Sequence, residues 1–227
     1  MFEVALLDLD NTLIQNPDRQ FALAFMKCID EHFQKSLRIS GVSSAFRKGI
    51  QKISSQVNTK TITHVMIDTI STEVQIESSI IGDVYLEFYK TSFASLESNI
   101  SSNPTAKPLL DYLLLQNKRI VIATNPLYPR TAIESRLHWG GLEEYIDKFI
   151  LITNSDNMHV SKPNSAYYTE ILQTINVHPS ECIMVGDSIR NDIEPAQNQE
   201  IDTYLISTQS TLSTFFEHVQ QKLTKRN

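Results

Sequence analysis

Val4-Ala5-Leu6-Leu7-Asp8-Leu9-Asp10-Asn11-Thr12-Leu13 runs an unbroken apolar stretch straight into two carboxylates set one residue apart. A short apolar run without polar alternation suits a strand buried on both faces, and such strands belong to parallel sheets. Two further runs have the same form: Ile120 to Ala123, ending at Thr124, and Ile183 to Val185, ending at Gly186-Asp187. Phe149 to Thr153 and Thr203 to Ile206 supply two more strand candidates, which makes a sheet of ordinary size. Helical spacing precedes the second run at Leu109, Leu110, Leu113 and Leu114, and the third at Tyr167, Tyr168, Ile171, Leu172 and Ile175. Strand and helix alternate, so the expected fold is α/β, a Rossmann-like parallel sheet of about five strands with flanking helices.

The pattern changes between the first run and the second. Phe21, Phe25, Ile29 and Phe33 repeat at helical spacing after the start signal Asn16-Pro17-Asp18, and strand-like runs are few up to Asn99. This predicts an inserted helical subdomain over residues 16–99, dividing a core made of 1–15 and 100–227. Ser36 to Lys60 is rich in Ser, Gln and Lys, and its pattern assigns no element. Turn formers cluster at Ser101-Ser102-Asn103-Pro104, the expected linker. No internal repeat recurs at a fixed period.

Composition narrows the function classes. The 227 residues are 41% hydrophobic and 20% charged, which fits a folded globular chain and excludes a disordered one. A net charge of −6, with basic residues gathered only at Lys222, Lys225 and Arg226, argues against nucleic-acid binding. Cys28 and Cys182 permit one disulfide but no framework, and no CxxC pair suggests zinc, so a reducing compartment is expected. No basic-then-apolar leader opens the chain and no run reaches membrane length, so the expectation is a soluble, cytoplasmic protein without membrane contact.

The strand ends carry the chemistry. If the backbone stays extended, Asp8 and Asp10 point to the same side and both reach one reacting group, although a lone DxD is more often an acidic turn. Thr124-Asn125 offers a hydroxyl, an amide and free backbone N–H groups to an anionic oxygen, where alone it would read as a cap or turn. Lys162, kept extended by Pro163, can set an ammonium beside a phosphoryl group, where alone it would read as a solvated lysine. Gly186-Asp187-Ser188, with Asp192 five residues after Asp187, adds carboxylates of the kind that hold Mg²⁺ through oxygen.

Taken together, these segments resemble the haloacid dehalogenase-like superfamily of hydrolases. Asp8-Leu9-Asp10-Asn11-Thr12-Leu13 is similar to its first motif, Thr124-Asn125-Pro126 to its second, Lys162-Pro163 to its third, and Gly186-Asp187-Ser188-Ile189-Arg190-Asn191-Asp192 to its fourth. The insertion resembles that superfamily's helical cap in position, length and helical character. One departure is the absence of a glycine in Ala196-Gln197-Asn198-Gln199-Glu200 after the fourth motif, where Asn198 is expected to take the left-handed conformation.

The resemblance implies a Mg²⁺-dependent phosphatase acting on a small phosphorylated metabolite, as a monomer or homodimer. Asp8 would be the nucleophile and Asp10 the acid and then the base. Asp8, the Asp10 carbonyl and Asp187 would hold the metal, with Asp192 orienting them from behind. Thr124, Asn125 and Lys162 would hold the phosphoryl oxygens. Asp10 favours phosphoryl transfer over dehalogenation, since a halide leaving group needs no acid. Substrate choice is expected to rest on the cap and on Arg130 near the second motif. The rival readings are a phosphosugar mutase using the same residues, a receiver-like signalling module, and a catalytically silent binding protein of the same fold.

Overall fold

The computed structural model describes residues 2–224. Along the chain, β1 (Val4–Leu7) and β2 (Ile14–Gln15) precede α1 (Asp18–Leu37), α2 (Val42–Ser55), α3 (Ile62–Val74) and α4 (Ser78–Lys90). There follow β3 (Ser101–Ser102), α5 (Ala106–Leu115), β4 (Arg119–Ile122), α6 (Arg130–Trp139), β5 (Leu151–Ile152) and α7 (Ala166–Ile175). The chain continues through β6 (Cys182–Gly186), α8 (Glu194–Gln197), β7 (Asp202–Leu205) and α9 (Leu212–Thr224).

Five strands form one parallel sheet in the order β5-β4-β1-β6-β7. β1 is central and fully buried, as its unbroken apolar run requires. Its register sets Leu7 level with both Ile122 and Val185, so the chain leaves β1, β4 and β6 side by side. The strand order reverses at β1, and a crevice at the carboxyl ends of the strands is the physical consequence. β5 is shorter than the run Phe149 to Thr153, which continues the ladder only through single bonds such as Thr153 N–H to the Ile122 carbonyl at 3.0 Å.

The four helices α1 to α4 enter and leave through a two-stranded antiparallel ribbon, β2 with β3. The expected linker at Ser101-Ser102 is therefore half of a paired crossing, fastened by Asn103 Nδ2 donating to the Thr12 carbonyl at 2.8 Å. The stripe Phe21, Phe25, Ile29 and Phe33 on α1 is buried, and each such side chain contributes about 1.5–3 kcal/mol to the helical packing. α2 lies in the stretch left unassigned from sequence.

Cys28 and Cys182 are both free thiols. Two expectations change. Asn198 is right-handed (φ −63°), and Glu200 takes the left-handed position (φ 60°) because the turn after α8 runs on to the Glu200 N–H bond with the Gln197 carbonyl. Arg130 is treated with the site below. Of the basic terminal residues, Lys225 and Arg226 lie outside the described residues. Among the described residues, no helix is long and apolar enough to cross a membrane.

Candidate active site

Asp8 leaves β1 at its carboxyl end, and its own N–H bonds to the Val185 carbonyl at 2.9 Å, which fixes the backbone between β1 and β6. Lys162 arrives from the loop after β5, 2% exposed, with Nζ donating to Asp8 Oδ1 at 2.9 Å and to Asp192 Oδ1 at 2.5 Å. Asp192 is held on its other oxygen by the Ser188 N–H at 2.9 Å. Gly186 makes this approach possible, since a Cβ there would stand 2.4 Å from Asp192 Oδ2. A glycine at the end of β6 is thus a packing requirement of the carboxylate behind it.

Asp8, Asp10, Thr124, Asn125, Lys162, Asp187 and Asp192 all line one cavity of about 410 Å³. Thr124 is buried, its carbonyl accepting from Thr153 Oγ1 and from the Tyr167 hydroxyl, both at 2.8 Å. Asn125 has a buried Oδ1 without a hydrogen-bond partner. One oxygen each of Asp8, Asp187 and Asp192 lies within 4.8 Å of the others.

Burial pushes the Asp8 carboxyl up, Lys162 opposes that, and the charges of Asp192 and Asp10 add to it, leaving Asp8 well above the ordinary carboxylate range. For Lys162, burial alone would depress the ammonium. Asp8 and then Asp192 outweigh it and hold Lys162 well above the ordinary lysine value. Lysine therefore answers only part of the negative charge gathered here. An all-oxygen donor set, crowded with like charge and closed behind by the sheet, fits a hard divalent cation.

Arg130 does not reach the cavity. Its Nε pairs with Glu134 Oε1 at 2.6 Å on the same helix, and the side chain is half exposed. The arginine that lines the cavity is Arg136, six residues on and therefore on a different face of α6. Arg136 is 2% exposed and its Nη2 pairs with Asp10 Oδ2. Asn16, Phe21 and Tyr128 complete that side of the wall. The sequence carried a signal for Arg136: with Ala132, Ile133 and Leu137 it occupies the buried stripe of α6, where a cation needs a partner.

A family model described as haloacid dehalogenase-like hydrolase matches residues 2–199. The chain belongs to that family. A ribulose-1,5-bisphosphate 5-phosphatase of Halopiger xanaduensis is 33% identical over 125 residues, 55% of this chain and 47% of that protein. The match thus spans about half of that relative's length. Among solved structures, a phosphatase of this family from Thermococcus onnurineus covers 96% of the chain and 98% of its own, with TM-score 0.61 and 16% identity. A 2-haloacid dehalogenase from Pseudomonas syringae pv. Tomato DC3000 covers 93% of the chain and 89% of its own, with TM-score 0.62 and 16% identity. These two structures share the fold, yet one is named a phosphatase and the other a dehalogenase, so the fold alone does not set the reaction.

Proposed function

We propose that the chain hydrolyses small phosphomonoesters through a phosphoryl group carried on Asp8, with Mg²⁺ as its metal and residues 16–99 as the cap over the site. The observation that carries this reading is Lys162 Nζ standing between Asp8 and Asp192 at the floor of a cavity that Asp10, Thr124 and Asp187 also line. Asp8 is placed to attack, and its oxygen forms a bond to phosphorus as the ester P–O bond breaks. The electron pair leaves with the ester oxygen, which takes a proton from Asp10. A water then gives its proton to Asp10 and adds to phosphorus, and the Asp8–phosphorus bond breaks to return the carboxylate and release phosphate.

Thr124 and Asn125 hold the phosphoryl oxygens, and Lys162 offsets the charge that grows on them. Asp192, with both oxygens already bonded, orients Lys162 and the loop after β6. A Mg²⁺ held by Asp8, Asp187 and the Asp10 carbonyl would supply charge neutralisation at the phosphoryl group. Phe21 and Ala22 of α1 lie on the cavity wall, which supports the cap role. The relative named as a sugar-bisphosphate phosphatase makes small phosphorylated metabolites the class to screen.

The test is hydrolysis of p-nitrophenyl phosphate with Mg²⁺, with EDTA, and by Asp8→Asn, which keeps shape and removes the nucleophile. Turnover is expected with Mg²⁺, and is expected to fall by at least about 10³-fold in both controls. Turnover that persists in purified Asp8→Asn overturns the reading.

A further inference from the structure

Asp10 is held on both oxygens. Arg136 Nη2 pairs with Oδ2, and Asn16 Nδ2 donates to Oδ1 at 2.8 Å. The guanidinium of Arg136 lies over two rings that meet edge to face, 5.4 Å from the centroid of Phe21 and 5.5 Å from that of Tyr128, the two centroids being 6.4 Å apart. Phe21 belongs to α1 of the insertion, whereas Tyr128 and Arg136 belong to the sheet side of the molecule. The guanidinium thus rests in a corner made by one ring from the insertion and one from the sheet side, and in turn it pairs with Asp10.

Stability is a poor reason for this arrangement. Burying an ion pair costs desolvation that its attraction barely returns, and a well-packed apolar side chain usually does as well. Arg136 also leaves its buried Nε without a partner, a further cost. What a guanidinium supplies and an aliphatic chain does not is a rigid, planar donor that fixes a carboxylate in one orientation.

We propose that Arg136 is a positioning residue that holds Asp10 in its reacting orientation, and that it does so only while Phe21, and with it the helical insertion, is seated against it. The inference rests on the acid role of Asp10 in the proposed hydrolysis. It predicts that disturbing Arg136 or Phe21 damages proton delivery to the leaving group more than it damages attack by Asp8.

The experiment compares leaving-group release in the first turnover for an alkyl phosphate, whose alkoxide needs a proton, and for 2,4-dinitrophenyl phosphate, whose phenolate does not. In Asp10→Asn the alkyl rate is expected to fall about 10²-fold or more, and the dinitrophenyl rate by less than about 10-fold. Arg136→Gln is expected to show the same imbalance, Arg136→Lys a partial recovery, and Phe21→Leu a smaller shift in the same direction. The double variant Asp10→Asn/Arg136→Gln is expected to be no more imbalanced than Asp10→Asn alone.

Equal losses on both substrates in Arg136→Gln, or a wild-type ratio in Phe21→Leu, overturn the proposal. If Arg136→Gln does not fold, the ratio in Phe21→Leu decides it. Absence of imbalance in Asp10→Asn itself overturns the acid role, and this inference with it. Imbalance in Asp10→Asn but not in the Arg136 and Phe21 variants overturns this inference alone.

Discussion

Lys162 is enclosed so completely that its charge exists only by agreement with its neighbours. Two carboxylates bond its ammonium, and the ring of Tyr167 lies 5.6 Å from it. Lys162→Met removes the cation and leaves Asp8 and Asp192 buried and facing each other. Breaking one side of a buried ion pair typically costs about 3–5 kcal/mol, because the charge left behind is uncompensated. We expect Lys162→Met to unfold in urea with a stability lower by that order and to have no measurable phosphatase turnover. Added Mg²⁺ should return part of the stability if the carboxylates hold the metal. A variant as stable as wild type would show that the lysine contributes nothing net to the fold.

Elements differ in how plainly their residues announce them. β1, β4 and β6 were readable because burial on both faces demands short unbroken apolar runs, and each of these ends abruptly in small or polar residues. The carboxylates and hydroxyl at their ends were readable for the same reason, since topology brings such ends together, whereas Lys162 reaches the cavity from the loop after β5. α2 was not, because its buried stripe includes Ser43, Ala45 and Gly49 among Val42, Phe46 and Ile53. Small residues there serve close packing: a Cβ at Gly49 would stand 2.4 Å from Met66 Sδ on α3. Apolar periodicity fades where two helices approach that closely, and the signal is lost from sequence. Arg136 was missed differently, since its partner Asp10 is 126 residues away and only the fold unites them.

α1 also carries His32, a buried tie to the neighbouring helical segments. Its Nε2 meets the Val84 carbonyl at 3.2 Å and its Nδ1 meets Ser92 Oγ at 2.8 Å. The carbonyl can only accept, so in the neutral ring Nε2 carries the proton and Nδ1 accepts from the serine. Burial lowers the imidazole below its ordinary value of 6.5, against the opposing pull of the Val84 carbonyl. The unfolded chain then binds a proton near pH 6.5 while the folded chain does so only at lower pH. His32 thus costs nothing above that value, and stability falls as pH descends from it toward the folded pKa. Urea unfolding of wild type and His32→Gln from about pH 7.5 to about pH 5.5 checks this. The wild-type curve should fall more steeply on the acid side, and parallel curves would contradict the assignment.

At the scale of the whole molecule, the question is whether the helical insertion and the sheet unfold together. Besides the β2–β3 ribbon, a second fastening joins them. The Asn58, Ile62 and Thr63 N–H groups donate to the His159, Met158 and Ser155 carbonyls at 3.0, 2.9 and 2.8 Å. Thr63 Oγ1 donates to Asp156 Oδ1 at 2.6 Å and accepts from Ser155 Oγ at 2.6 Å. Tyr128 and Trp139, from the sheet side, pack among the rings of the insertion, Phe25 at 5.1 Å from the first and Phe93 at 5.2 Å from the second. Apolar packing is therefore continuous across the junction, and separating the two parts would expose aromatic surface on both. Trp139 is the single tryptophan, so its fluorescence reports on that junction while far-UV circular dichroism reports on all helices. The two signals should give one coincident urea transition. Thr63→Val strands the buried Ser155 hydroxyl and removes the bond to the exposed Asp156, and it should shift both curves together by about 1–3 kcal/mol. A fluorescence change that precedes loss of helix would mean that the insertion undocks before it melts, and the continuous aromatic packing would then not bind the molecule into one cooperative unit.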